Sequence, residues 1–224
     1  MSYASYRVMT NILWPVAVSA AALRRATGSP EWGQRVGWTP PAAVGSLWLH
    51  AASVGEVAAV TPLANALAAR RPGVFFTVVS PTGRAVAERS LDGLTVSFAP
   101  LDFVAAVRRV LRSVRPRALL LTETELWPNT IYESAEAGMP VGMVNGRLSE
   151  KSLKRYTMLG SPLRGVASRV SFAACRSDAD ALRFRELGVA APRVTVVGDM
   201  KFDKLSAPLS ESERAELLSS LGVP

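Results

Sequence analysis

The chain has 224 residues, 49% apolar and 20% charged, which fits one globular domain with a modest appendage and excludes a disordered, collagen-like or coiled-coil chain. Lysine plus arginine is 26 against 18 aspartates and glutamates, and the resulting +8 favours an anionic partner: a phosphorylated substrate or an acidic membrane surface, with nucleic acid the weaker choice because no aromatic-studded basic strand is present. A single cysteine, Cys175, and a single histidine, His50, exclude a disulfide framework and cysteine-built or two-histidine metal sites, so acid–base chemistry falls to carboxylates and lysine, and no metal or cofactor is expected.

Val8 to Leu23 is an apolar run interrupted by Asn11 and Pro15 and followed by Arg24 and Arg25. It is shorter than the roughly 20 residues a spanning helix needs. Its positive charge mainly follows the apolar run, the wrong order for a secretory signal. Residues 1–25 therefore read as a membrane-anchoring helix lying in the interface, with Tyr3, Tyr6 and Trp14 at the headgroup level and the arginines toward anionic lipid. The alternative is an ordinary buried helix of the domain. Residues 26–43, with Gly28, Pro30, Gly33, Pro40 and Pro41, read as a connector.

From residue 44 to 205 apolar runs alternate with helical patterns. Strands are predicted at Leu47–Ala52, Val74–Val79, Thr95–Ala99, Ala118–Thr122, Val141–Val144, Phe172–Ala174 and Val194–Val197. Helices are predicted at Glu56–Arg71, weakened by Pro62, at Gly83–Arg89, at Phe103–Val114 and after Pro128. A further helix is capped by Ser177 and ends at Leu187 before Gly188. Buried strands alternating with helices predict an α/β, Rossmann-like parallel sheet with helices on both faces. In such sheets ligands bind at the carboxyl ends of the strands, so the strand-exit loops are where chemistry is sought.

No G-x-G-x-x-G, phosphate-loop or G-x-S-x-G pattern is present. His50, at a strand end, reads as a hydrogen-bonded structural residue. Three exits carry information. In Ala52-Ser53-Val54-Gly55-Glu56 the glutamate falls in the first helical turn, where the dipole favours a carboxylate base. Ser53 and Glu56 also fit the S-x-x-E capping box, and on residue physics alone that reading is the stronger. In Glu123-Thr124-Glu125-Leu126-Trp127-Pro128-Asn129 two carboxylates follow an apolar strand, and N-capping does not absorb both. Gly198-Asp199-Met200-Lys201-Phe202-Asp203 places a lysine between acids, either as a surface ion pair or as a cation at the sheet's mouth.

In order, S-V-G-E (53–56), P-T-G (81–83), E-T-E-L-W-P-N (123–129), N-G-R-L-S (145–149), R-F-x-x-L-G (183–188) and G-D-M-K-F-D (198–203) resemble the 3-deoxy-D-manno-octulosonic acid (Kdo) transferases of Gram-negative lipopolysaccharide assembly. Departures are Gly146 for the usual alanine, Thr122 for a common methionine, and Asp199-Met200 where a small or amide residue and leucine are usual. The resemblance implies a GT-B glycosyltransferase at the cytoplasmic face of the inner membrane, taking the lipid A precursor as acceptor and CMP-Kdo as donor. It implies Glu56 as general base, Glu123 and Lys201 as transition-state stabilisers, and no cofactor. Ser53, Gly55, Thr82, Gly83, Arg84, Glu125, Asn129 and Arg147 are assigned to substrate binding, and anionic lipids of the inner membrane are expected partners. The family's donor domain would follow Pro224, so the chain is expected to hold the N-terminal acceptor half, with residues 206–224 leading toward the donor half. The alternative is a non-catalytic, membrane-associated module binding anionic lipid, or a truncated, inactive half-enzyme.

Overall fold

A computed structural model of the chain describes residues 2–42, 44–70, 73–91, 93–158 and 161–204, together with Ser212 and Ser220. Residues 206–224, expected to lead toward the donor half, lie outside the described residues apart from those two serines. Seven strands form one parallel sheet: β1 (Leu47–Ala51), β2 (Val74–Val78), β3 (Thr95–Phe98), β4 (Ala118–Thr122), β5 (Val141–Gly146), β6 (Phe172–Cys175) and β7 (Val194–Val196), in the order β3-β2-β1-β4-β5-β6-β7. Alternate residues feed two cores. Trp48, Phe75, Leu119, Leu121 and Met143 pack on one face, and Leu49, Ala51, Phe76, Val78, Leu120 and Val144 on the other. With both faces covered, the strands read as continuous apolar runs rather than alternating ones, the sequence signature of a parallel sheet.

The helices are α1 (Tyr3–Ala26), α2 (Trp32–Arg35), α3 (Val54–Ala68), α4 (Pro81–Ser90), α5 (Val104–Val114), α6 (Pro128–Glu136), α7 (Glu150–Met158), α8 (Ser161–Ala167) and α9 (Asp178–Leu187). Helix α3 runs through Pro62, because Val57, Val60 and Ala64 bury one face against the sheet and packing outweighs the lost backbone bond. Helix α9 is capped by Ser177 and stops at Gly188, whose φ of 118° suits glycine. The expected connector is ordered at its centre. Gln34 Oε1 accepts from Phe98 N–H at 2.7 Å and Arg35 donates to the carbonyl of Val79 at 2.8 Å, so α2 closes the exposed edge of β3.

Helix α1 lies on the domain instead of projecting from it. Tyr3 stacks on Tyr132 at 4.1 Å, and Trp14 packs on Phe103 at 5.5 Å. The Tyr6 hydroxyl donates to Asp102 at 2.9 Å, while Thr10 and Ala21 are buried. The aromatic residues expected at a headgroup level therefore form the inner stripe of α1, where the domain offers partners for both ring and hydroxyl. The outer stripe is aliphatic: Val8, Ile12, Val16 and Leu23 are 58–70% exposed. Among the described residues no helix is long and apolar enough to cross a membrane.

Candidate functional site

The strand order reverses between β1 and β4, so the crevice of this fold opens at their carboxyl ends. Leu47–His50 pairs in register with Ala118–Leu121, and the Thr122 hydroxyl donates to the His50 carbonyl at 2.7 Å. The exits carrying Glu56, Glu123 and Glu125 thus leave the sheet side by side.

Ser53 is the extended N-cap of α3. Its hydroxyl accepts from Glu56 N–H at 3.4 Å and donates to Glu56 Oε1 at 2.8 Å, while Ala52 N–H donates to Oε2 at 2.9 Å. The capping box is present, and it also fixes the carboxylate at the head of the crevice. Glu56 is 9% exposed. Burial raises its pKa above the ordinary carboxylate value, the hydrogen bonds that Ala52 and Ser53 donate to the carboxylate oppose this, and the charge of Glu123 adds to the rise. The two readings of S-x-x-E are compatible, since the same contacts that cap the helix hold a carboxylate with increased proton affinity.

Gly83 is buried at the start of α4, capped by Ser80. A Cβ there would meet Ser80 Oγ at 2.8 Å and the backbone of Ser53 at 3.6 Å, so glycine lets the amino ends of α3 and α4 approach closely. Ser53, Gly55 and Thr82 are exposed beside this junction. Arg84 points along α4 to Glu88 at 2.7 Å and reaches Gln34 at 3.4 Å.

Glu123 has φ of 56°, the left-handed region, and its N–H donates to the Val144 carbonyl at 3.0 Å. Arg147 Nη1 stands 3.9 Å from its Oε2. Such a backbone costs a branched-chain or long residue about 1–2 kcal/mol. Glu123→Gly is therefore expected to stabilise the fold by about 1 kcal/mol and to raise Tm by roughly 2–4 °C, read by thermal unfolding. An unchanged or lowered Tm would show that the left-handed turn stores no strain.

Glu125 turns inward. Its Oε2 accepts from the Trp127 indole at 2.6 Å and lies 4.0 Å from His50 Nε2. His50 is 3% exposed, with Nδ1 against the Thr77 hydroxyl at 3.0 Å. Burial pushes its pKa down to about 4, so the imidazole is neutral over the physiological range.

Asn129 is completely buried. Its carboxamide donates to Thr10 at 3.1 Å and accepts from the Tyr3 hydroxyl at 3.2 Å. The polar atoms of this expected substrate ligand are engaged by Tyr3 and Thr10 of α1 and by the Asp102 carbonyl. Asp102, which gave no signal in the sequence, organises this region. Its two oxygens accept from Tyr6, from the backbone N–H of Asn129 and from both the N–H and the hydroxyl of Thr130, at 2.7–2.9 Å.

Lys201 is exposed on a short 3-10 turn, Met200–Lys204, that packs against α3. The turn is tied to the sheet by Met200 N–H donating to Asn145 Oδ1 at 3.0 Å. Asn145 itself has φ of 52°. The three sequence blocks at residues 53–56, 123–129 and 198–203 thus meet around one end of the sheet, and Arg147 stands at the exit of β5 beside them.

Residues 30–204 match the family model described as 3-deoxy-D-manno-octulosonic-acid transferase (kdotransferase). A relative from Bordetella pertussis, 3-deoxy-D-manno-octulosonic acid transferase, is 35% identical over 192 residues, covering 80% of this chain and 44% of the relative. The transferase of the same description from Haemophilus influenzae is 32% identical, covering 70% of this chain and 38% of its own length. The chain thus spans less than half the length of these relatives. Among solved structures, a UDP-GlcNAc 2-epimerase from Neisseria meningitidis superposes with a TM-score of 0.54 at 12% identity, over 80% of this chain and 51% of that one. The epimerase from Methanocaldococcus jannaschii gives 0.53 at 12%, over 78% and 52%. At such identity the likeness concerns the fold alone, a Rossmann-like domain of the GT-B type.

Proposed function

This chain belongs to the 3-deoxy-D-manno-octulosonic-acid transferase family, and from that premise we propose that it is the acceptor-binding half of a glycosyltransferase that moves Kdo from CMP-Kdo to a lipid A precursor with inversion. The observation that carries the reading is Glu56. It is a carboxylate of raised proton affinity, held by hydrogen bonds from Ala52 N–H and the Ser53 hydroxyl at the topological switch point of the sheet. In the proposed step it takes the proton of a glucosamine 6-hydroxyl as that oxygen attacks the anomeric carbon of Kdo, and CMP leaves with the bonding electrons. Glu123 steadies positive charge growing on the sugar ring. Lys201 offers its cation to the anionic donor, the bulk of which is held by a donor domain outside this fold.

The test is transfer from CMP-Kdo to a lipid A precursor by the chain alone and with the C-terminal half of the Bordetella pertussis relative supplied in trans. Product in the complemented arm supports the reading. Its absence, with both halves folded, favours a lipid-binding module without catalysis.

The acceptor is a lipid, and the outer stripe of α1 suits the surface in which it resides. Val8, Ile12 and Val16 offer an aliphatic face, and Arg24 and Arg25 offer charge. We place the domain on the cytoplasmic face of the inner membrane through this stripe. Burying Ile12 and Val16 is worth about 1.5–3 kcal/mol each, so Ile12→Glu with Val16→Glu is expected to weaken binding to phosphatidylglycerol vesicles by at least tenfold. Sedimentation at two salt concentrations measures it. Unchanged binding would move the membrane contact elsewhere, for example to the basic groove lined by Lys151, Lys154 and Arg155 on α7.

A further inference from the structure

We infer that Glu125 is a positioning residue for Glu56: it carries the proton of the carboxylate cluster, so that Glu56 is the member left ionised to accept one. The inference rests on the reaction proposed above and extends it to a side chain with no part in the bond changes. Three glutamates share the exits of β1 and β4, and ionising all of them in one partly buried crevice is opposed by like-charge repulsion. Their support is unequal. Glu56 has Ala52 N–H and the Ser53 hydroxyl, and Glu123 has the Arg147 guanidinium near it. Among the described residues Glu125 has one neutral donor, the Trp127 indole, and it faces an imidazole that burial keeps uncharged. Among the described residues the charged or titratable groups facing Glu125 are His50 from β1, Glu56 from α3 and Glu123 from its own loop, and none of these brings it a positive charge. The proton settles where the anion is least supported. Burial first and the charge of Glu56 second raise Glu125 to about 7, in keeping with that geometry.

Two measurements test the inference. The first needs no catalysis. A carboxyl whose folded pKa of about 7 stands above its ordinary 4.5 adds stability that is complete below 4.5 and is lost as pH rises through about 7. Glu125→Gln, which cannot ionise, escapes that loss. Its Tm relative to wild type is expected to climb by roughly 3 °C or more between about pH 5 and about pH 8. A flat difference means that Glu125 is ionised throughout and overturns the inference. The second measurement is the pH profile of transfer with the complementing half in trans. Wild type is expected to decline above about pH 7, because ionised Glu125 places a second charge beside Glu56 and against an anionic donor. The alkaline decline is lost in Glu125→Gln. In Trp127→Phe it moves to higher pH, because the removed N–H had favoured the anion. Identical alkaline limbs in all three proteins overturn the positioning role. A wild type that shows the titration difference yet makes no product refutes the proposed reaction and leaves the proton on Glu125 established.

Discussion

Glu56→Gln is expected to lower the transfer rate by roughly 10²- to 10⁴-fold, the usual worth of a positioned general base. The substitution is nearly isosteric, and glutamine also serves at the third position of a capping box. The Ser53 hydroxyl can rotate to suit an amide, and Ala52 N–H keeps an oxygen to donate to. The amide cannot take a proton. Rate should therefore fall with Tm within a few degrees of wild type, read as initial velocity with CMP-Kdo and a lipid A precursor beside a thermal melt. Burial ensures that the amide is tolerated, since the carboxylate was already penalised by desolvation. A variant that transfers Kdo at near wild-type rate would remove Glu56 from the chemistry and leave it as a helix cap.

Asp102→Ala is expected to be the most damaging single change to the fold, destabilising it by about 3–5 kcal/mol and lowering Tm by roughly 6–20 °C. The residue preceding α6 is Trp127, which has no side-chain oxygen and makes no capping bond. Asp102 caps α6 from a distance, accepting the N–H groups of Asn129 and Thr130 at 2.9 and 2.8 Å, and it also receives the hydroxyls of Thr130 and Tyr6. Alanine would leave these four donors without their acceptor, in a site where Asp102 itself is only 7% exposed. Asp102→Asn offers one acceptor oxygen in place of two and is expected to fall between wild type and alanine. Equal stability of all three proteins by chemical unfolding would show that α1 and the start of α6 are held by apolar packing alone. Because α6 begins directly after Glu125, Leu126 and Trp127, loosening this cap should also disturb the carboxylate loop.

Much of the architecture was legible because it depends on contacts between residues close in sequence. Apolar runs of five residues such as Val74–Val78 and Ala118–Thr122 appear within a residue of their predicted bounds, and Ser53, Ser80 and Ser177 cap the helices that follow them. Alternation of strands and helices gave the parallel sheet. The ordered blocks gave the family, since their spacing along the chain is a linear property.

Other features required the fold. Which face of α1 meets the domain is one of them, because Tyr3, Tyr6 and Trp14 are as suited to a membrane interface as to a protein surface. Only the position of Tyr132, Asp102 and Phe103 decides between them. Asn129 lies in the most specific block, and only the fold turns its carboxamide to Thr10 and Tyr3. Asp102 stands 27 residues before Asn129, too far along the chain for any local pattern to join them.

What the sequence determined by itself was the kind of secondary structure and the parallel α/β class, set by short-range periodicity, capping and residue chemistry, and it marked the candidate acids and cation at the strand exits. What only the tertiary structure decided was which of three glutamates is supported as an anion and which face of the first helix is left to the solvent. Proton affinity depends on desolvation and on neighbouring charge, and these are created when strands β1 and β4, distant in the chain, come to lie side by side.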